Sequence, residues 1–155
     1  MKQIELTQGY FAIVDDEDFE WLRKLKWFYF ETDSGNCYAK TSIYISKSKS
    51  EHPYMHRMIM KANKGQQIDH RNRNGLDNQR LNLRFCNYSL NHANAKKRLN
   101  TSSNYKGVCW DKARQRWMLQ VGSKHYGRFD DEIEAAKAYD TKAIELYGEF
   151  ARTNF

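Results

Sequence analysis

The chain has 155 residues, of which 40% are hydrophobic and 14% aromatic, enough for one ordinary domain or two very small ones. No apolar run approaches the roughly 18–20 residues of a membrane helix, and the N-terminus lacks the apolar region of a signal peptide. These features exclude a membrane-spanning chain and wholesale disorder, and they favour a cytoplasmic protein.

Positive charge is concentrated in the middle of the chain. The net charge is +7, but residues 55–129 alone hold 16 basic and 3 acidic residues. Many of these cations are arginines interleaved with Asn, Tyr and Trp, which favours contact with a polyanion such as nucleic acid over a merely solubilising surface. The three cysteines are far apart and form no CxxC pair, so neither a structural zinc site nor a disulfide framework is expected.

The first part of the chain predicts a β-rich region with two short helices. Segments of alternating, aromatic-rich sequence separated by turn residues predict the strands. A stretch with acidic residues in its first turn and basic residues in its last turn predicts a helix. In chain order we expect two strands within residues 3–14, a capped helix over 15–27, a hairpin of residues 27–31 and 36–45, a polar loop over 47–52 and a helix after Pro53.

The last third of the chain follows a different pattern. "NAKKRLNTSSN", residues 94–104, is basic and lacks core residues, which predicts an extended linker. "YKGVCWD", "RWMLQV" and "HYGRF" then predict three short strands. An amphipathic helix follows, with a capping box at Asp131 and Glu134 and a glycine stop at Gly148. Its expected buried stripe consists of Ile133, Ala136, Tyr139, Ala143 and Tyr147.

Between these regions lies "IDHRNRNGLDNQRLNLRFCNYSLNHAN", residues 68–94, with Asp69, His70 and seven asparagines. Phosphodiester hydrolysis requires a base that titrates near neutral pH, as histidine does, and a divalent metal on hard oxygen ligands. Because side chains alternate along a strand, Asp69 and His70 can serve one site only if the strand ends or bulges there, and "RNRNG" is a suitable breaker. The alternative is an ordinary Asn-rich loop with a structural Asp-His pair.

Together with "HR" at 56–57, this stretch resembles the HNH endonucleases, in particular the phage and intron-encoded homing enzymes, whose pattern runs roughly D-H-x-N-G…D-N…S-N-L-R…N-x-x-N. The resemblance spans residues 55–95 and implies a ββα-metal fold and a phage-infected or bacterial cell. We interpret His56 as structural or phosphate-facing, since nothing at ligand spacing accompanies it.

The HNH resemblance also implies a role for individual residues. His70 would be the general base, and Asn82 would brace the loop and the histidine backbone. Asp69 and Asn91 would hold one Mg²⁺ (or Mn²⁺) ion per active site. His92 follows Asn91 on the same predicted helix, where successive residues are turned by about 100°, so we expect it to contact backbone or solvent instead.

Residues 104–155 resemble a second family, the APETALA-two (ethylene-response-factor) DNA-binding domain. "YKGVCW", "RW", "YGRF", "EAAKAYD" and "GEFARTNF" carry this resemblance. It implies a three-stranded sheet whose face opposite the helix enters the major groove.

The sequence therefore predicts an α+β protein with three parts. Residues 1–95 would be an HNH (ββα-metal) nuclease domain with N-terminal β-rich support. Residues 96–104 would be a linker, and residues 105–155 a small domain of three antiparallel strands and a helix. The expected DNA contacts are Arg57, Arg71, Arg84, Lys96, Lys97, Arg98, Lys106, Arg114, Arg116, Gln120, His125 and Arg128.

The expected function is metal-dependent hydrolysis of double-stranded DNA by a site-directed, homing-type endonuclease, nicking one strand per active site. The enzyme would act as a monomer or weak homodimer without a membrane partner. Two alternatives stay open. One is a non-catalytic DNA-binding regulator that kept a decayed nuclease fold. The other is an RNA-binding protein, which predicts exposed stacking aromatics and a preference for single strands.

Overall fold

The computed structural model describes residues 1–46 and 49–155. The chain forms two compact units, Met1–Cys86 and Asn87–Phe155, and both mix helices with small antiparallel sheets. Residues 87–95, expected to end the first domain, thus group with the second unit. The predicted boundaries at 95 and 104 stay predictions. In the described part of the chain, no helix is long and apolar enough to cross a membrane.

The first unit is a series of hairpins with two short helices between them. Its strands pair with their neighbours in sequence, as β1-β2, β3-β4, β5-β6 and β7-β8. The elements are β1 (Lys2–Glu5), β2 (Phe11–Val14), α1 (Asp16–Leu22), β3 (Trp27–Glu31), β4 (Cys37–Thr41), β5 (Ile43–Ser46), β6 (Lys49–Glu51), α2 (Met55–Ile59), β7 (Gln67–His70) and β8 (Leu83–Cys86).

Two predicted elements of this unit differ from the structure. Helix α1 ends at Leu22 instead of continuing to residue 27, because the indole of Trp27 donates to the Leu22 carbonyl over 2.9 Å and the chain turns into β3. Residues 49–51 lie in a strand that pairs with β5, not in the polar loop expected over 47–52. Positions 47 and 48 of that expected loop lie outside the described residues.

The core of the first unit gathers apolar side chains from α1, α2 and the strands β1–β4, β7 and β8. Met55 and Ile59 of α2 are fully or almost fully buried, and Leu22 of α1 packs in the same cluster. The strands contribute Ile4, Ala12, Val14, Trp27, Ala39, Ile68 and Leu83. Strands β7 and β8 are thereby held against the core, which fixes the chain at His70.

The second unit is a helix packed on a three-stranded sheet, with a short helix before it. Strand β10 is central, and Leu119, Val121 and Tyr139 form its core with the long helix. The elements are α3 (Tyr88–Asn94), β9 (Val108–Asp111), β10 (Arg116–Val121), β11 (Lys124–Phe129) and α4 (Glu132–Tyr147).

Helix α4 matches its predicted ends but not its whole buried stripe. The Asp131 carboxylate accepts from the Glu134 backbone N–H at 2.8 Å, and Gly148 follows the last turn with φ of +51°. Ile133 was wrongly assigned to the stripe: it is 45% exposed, and Ala135 is buried in its place. In the first turn the sheet covers only the face that carries Ala135 and Ala136, so Ile133 projects beyond it.

Candidate functional site

Asp69 and His70 are the last two residues of β7, opposite Arg84 and Leu83 of β8. The strand ends at His70, as the breaker "RNRNG" predicted. Arg73 takes the left-handed conformation with φ of +65°, and its N–H donates to the His70 carbonyl over 2.9 Å. The tight turn allows the chain to change direction directly after the histidine.

The carboxylate of Asp69 is fixed by a buried ion pair. Arg84 on the neighbouring strand donates from Nε at 2.8 Å and from Nη2 at 2.7 Å, both to Oδ2. Both side chains are 7% exposed. An ion pair this deeply buried holds the carboxylate in one orientation, because moving either charge away would leave the other unpaired in the protein interior.

Asn82 braces the loop that follows His70. Its Oδ1 accepts from the Asn72 backbone N–H at 2.9 Å, and its Nδ2 donates to the Asp77 carbonyl at 2.7 Å. The Arg71 N–H in turn donates to the Asn82 carbonyl at 2.9 Å. One amide side chain therefore ties the two ends of the loop together, the contact expected of it. Its part in catalysis stays a prediction.

The loop is also held by the N-terminal segment. Asn78, fully buried, donates its backbone N–H to the Ile13 carbonyl at 2.7 Å. Arg80 forms a two-pronged pair with the buried Asp18 of α1, at 2.7 and 2.8 Å. Gly75 lies so close to β4 that an added Cβ would overlap the Cys37 carbonyl oxygen. Several elements thus fix the same turn, which makes the position of His70 rigid.

His70 belongs to a cluster of rings that sequence reasoning missed. The His56 ring lies perpendicular to it with 5.0 Å between centroids, and Tyr54 stacks on His56 at 5.3 Å. Tyr38 of β4 approaches both imidazoles, at 5.6 Å from His56 and 6.0 Å from His70. The packing of the buried residues of helix α2 brings His56 next to His70. This is a tertiary contact, which the spacing of residues along the sequence does not predict.

Burial controls the protonation of both imidazoles. It lowers the pKa of His56 to about 3, with smaller contributions from the charges of His70 and Arg57. Burial also lowers the pKa of His70, while the side chain of Asn78 and the charges of Asp69 and Asp77 oppose that shift. Both rings are therefore neutral at neutral pH, the form in which histidine accepts a proton.

The predicted metal ligands fit magnesium by their chemistry. Asp69 and Asn91 offer carboxylate and amide oxygens, and Mg²⁺ commonly takes one or two such protein ligands and fills its other positions with water. Among the described residues, no group of three or more His, Cys, Asp and Glu side chains is arranged to hold a metal. Asn91 lies in α3 of the second unit, so its joint ligation with Asp69 stays a prediction.

Helix α3 begins as a capped helix. The Asn87 side chain accepts from the Leu90 N–H at 2.9 Å. His92 is exposed, as expected, and its ring lies 6.2 Å from that of Tyr88 one turn earlier. The ammonium of Lys106 donates to the carbonyls of Ala93 and Ala95 at the end of the helix. Lys106 therefore anchors α3 and does not project from the sheet, a position that opposes its expected role on DNA.

Two of the arginines expected on DNA in the first unit are engaged within the protein. Arg84 is buried against Asp69, which opposes a surface role. Arg57 donates to the carbonyls of Gln66 and Asn63 at 2.6 and 2.8 Å, so it shapes the loop before β7. Arg71, directly after His70, is exposed. Of the three, Arg71 is the one whose position suits contact with a phosphate.

The arginines of the second unit's sheet are paired with acids. Arg128 and Arg114 donate to Asp111 at 3.0 and 3.4 Å, and the hydrogen bond from Arg128 lowers the pKa of that carboxyl. Arg116 holds Asp130 through two bonds of 2.7 and 2.8 Å. These pairs neutralise much of the expected basic face. Gln120 and His125 are cross-strand partners on β10 and β11, and Lys96, Lys97 and Arg98 lie in the basic segment after α3.

Comparison with known proteins corrects the two family resemblances. No protein-family model matches the chain, and no solved structure does. The assignments to the HNH homing endonucleases and to the APETALA-two domain are therefore wrong. The chain is instead 38% identical over 93 residues to "Protein 3.8" of Escherichia phage T7, an alignment that covers 57% of this chain and 76% of the phage protein. By that identity and coverage, the chain belongs to the family of phage T7 Protein 3.8.

Proposed function

We propose that this protein is a metal-dependent endonuclease that hydrolyses one phosphodiester bond of double-stranded DNA per active site, leaving a nick. The observation that carries the proposal is the state of His70. Its imidazole is neutral at neutral pH, stands at the end of β7 beside Asp69, and is held by a loop fixed at several points. Rigid placement of a neutral imidazole is what general-base catalysis requires.

In the proposed reaction His70 removes a proton from the attacking water. The oxygen attacks phosphorus and the bond to the 3′ oxygen breaks. The departing 3′ oxygen takes a proton from a second water molecule, which leaves a 5′-phosphate and a 3′-hydroxyl. The imidazolium formed is stabilised by the charges of Asp69 and Asp77, which favour its protonated form. His56 stays neutral because of its depressed pKa, so it adds no repulsion when His70 gains the proton.

The proposal includes one Mg²⁺ or Mn²⁺ ion, with Asp69 as the residue of the first unit that would hold it. When bound, such an ion neutralises charge on the scissile phosphate and on the leaving oxygen. Arg84 would orient the Asp69 carboxylate through its two bonds to Oδ2. The ββα-metal arrangement expected from the sequence belongs to this proposal as well.

Duplex binding would rest on the basic central block and on the second unit. Residues 55–129 carry a large excess of positive charge, and contacts to phosphate supply most of the non-specific affinity for DNA. A DNA-binding unit on the same chain raises the effective concentration of the nuclease unit at its target. With a relative from a phage, we place this activity in the cytoplasm of an infected cell.

One structural feature favours a second candidate, a DNA-binding protein without catalysis. His70 is 6% exposed, and Oδ2 of Asp69 is taken by Arg84. A site this closed would need local opening to admit water and phosphate. If it stays closed on DNA, the same residues serve only to stabilise the fold.

Relaxation of supercoiled plasmid separates the two candidates. Wild type, His70→Ala and His52→Ala are incubated with plasmid in Mg²⁺ or in EDTA. His52 is an exposed histidine that bonds Ser42 at 3.0 Å, outside the ring cluster. We expect nicking by wild type and His52→Ala in Mg²⁺ alone. A wild type that binds plasmid but never relaxes it, in Mg²⁺ or Mn²⁺, favours the non-catalytic candidate.

A further inference from the structure

The second unit contains a cleft of about 480 Å³ that the proposed hydrolysis does not use. One wall is a face of α3 that carries Tyr88, Ser89 and His92, and it continues into the basic segment. The other walls come from the start of β9, the turn between β10 and β11, and one side of α4. The cleft is contained within residues 88–147, so it is a feature of this unit alone.

The charge of the cleft is one-sided. Lys96, Lys97, Arg98 and Lys106 line it, and none of the described residues that line it is acidic. Lys96 and Arg98 form no ion pair with any residue that the structure describes. The arginines of the sheet, in contrast, are neutralised by Asp111 and Asp130. Lys96 and Arg98 therefore place unpaired positive charge at a concave surface, where an anion would be held.

Aromatic rings supply the remaining surface. Tyr88 is 75% exposed at the rim. Tyr139, which is buried, and Tyr147 also line the cleft, and Gly107 packs against the Tyr139 ring. Gly107 takes φ of +75°, and an added Cβ would overlap that ring and lie 2.7 Å from the Gln120 carbonyl oxygen. The backbone at Gly107 is thus packed closely against the ring of Tyr139, which fixes this part of the cleft wall.

We infer that this cleft binds one nucleotide of a single-stranded nucleic acid, with its base stacked on Tyr88 and its phosphate on Lys96 and Arg98. The volume lies within the roughly 300–1,000 Å³ of small-molecule sites, which admits a nucleotide and excludes a duplex. An exposed aromatic ring next to unpaired cations is the combination that single-strand binding proteins use. The inference stands independently of the proposed hydrolysis.

The test is fluorescence anisotropy of the full chain with labelled dT10, and with rU10 to distinguish DNA from RNA as the source of the nucleotide. Removal of the Tyr88 ring in Tyr88→Ala should weaken binding at least about fivefold, given the usual contribution of one stacked base. Tyr88→Phe keeps the ring and should bind as wild type does. Unlabelled dTMP should compete, whereas thymidine and inorganic phosphate at the same concentration should not.

The cations are tested by their salt dependence. The double variant Lys96→Ala/Arg98→Ala should lower the slope of log affinity against log salt by about 0.7, since one phosphate contact on a single strand contributes about that much. Lys112→Ala/Lys137→Ala removes the same charge from exposed positions outside the cleft and should leave the slope unchanged. Equal slopes for the two double variants, or binding that Tyr88→Ala does not weaken, would overturn the inference. Neither result depends on plasmid nicking by His70, so the nucleotide-binding inference and the proposed hydrolysis can be refuted independently.

Discussion

Acid should destabilise the protein through His56, a buried imidazole that is 8% exposed and packed between Tyr54 and His70. Its pKa is about 3 in the folded state, against an ordinary value of 6.5. As pH falls below 6.5, the unfolded chain binds a proton at this position and the folded chain does not. The contribution of neutral His56 to the free energy of unfolding is therefore fully present above pH 6.5 and is lost progressively as the pH falls towards 3.

The magnitude follows from the pKa difference. Each pH unit between the two pKa values costs about 1.4 kcal/mol per group, so lowering the pH from 6.5 to 4.5 costs about 3 kcal/mol at His56. The pKa of His70 is also lowered, which adds a loss in the same direction. Nδ1 of His56 is buried and has no hydrogen-bond partner among the described residues, so replacing the ring with phenylalanine removes no bond at that atom.

Urea unfolding at pH 7 and pH 4.5 measures this effect in wild type, His56→Phe and His52→Gln. We expect the loss of unfolding free energy on acidification to be smaller in His56→Phe by about 3 kcal/mol. His52→Gln, an exposed control, should lose as much as wild type. Carboxylates contribute equally to all three proteins. The reasoning is refuted if His56→Phe and wild type lose the same free energy between the two pH values.

Three further changes should lower stability, each through a different contact. Gly75→Ala places a methyl group against the Cys37 carbonyl oxygen, and the resulting overlap should cost about 1–3 kcal/mol in urea unfolding. Arg84→Ala leaves the Asp69 carboxylate buried without its partner and should cost about 3–5 kcal/mol, and adding Asp69→Asn should recover part of that loss. Asp140→Ala removes the acceptor of three hydrogen bonds from the last two residues and should lower the melting temperature of the second unit, whereas Asp130→Ala, an exposed acid, should lower it less.

The sequence predicted those element ends that are determined by neighbouring residues, such as turn formers and helix caps. The end of β7 at His70 follows from a run of turn-forming residues, and the ends of α4 follow from Asp131 and Gly148. The contact of Asn82 with the loop was expected from the HNH resemblance and not from a local signal in the sequence.

Contacts between distant residues could not be predicted in this way. His56 and His70 are brought together by the packing of α2, and the partner of Asp69 is set by the register of β7 and β8. The pairing of Arg128 with Asp111 depends likewise on the order of the strands. A charge count along the sequence treats such cations as available, whereas the folded chain neutralises them internally. The two family assignments were wrong because short motifs are matched more easily than whole chains.

The initial rate of plasmid nicking in Mg²⁺, compared between wild type and His70→Ala, tests the account most directly. Removing a general base typically costs about 10²–10⁴-fold, so the variant should nick at least about 100 times more slowly while retaining plasmid binding and a cooperative thermal transition. Nicking by folded His70→Ala at the wild-type rate would contradict the account.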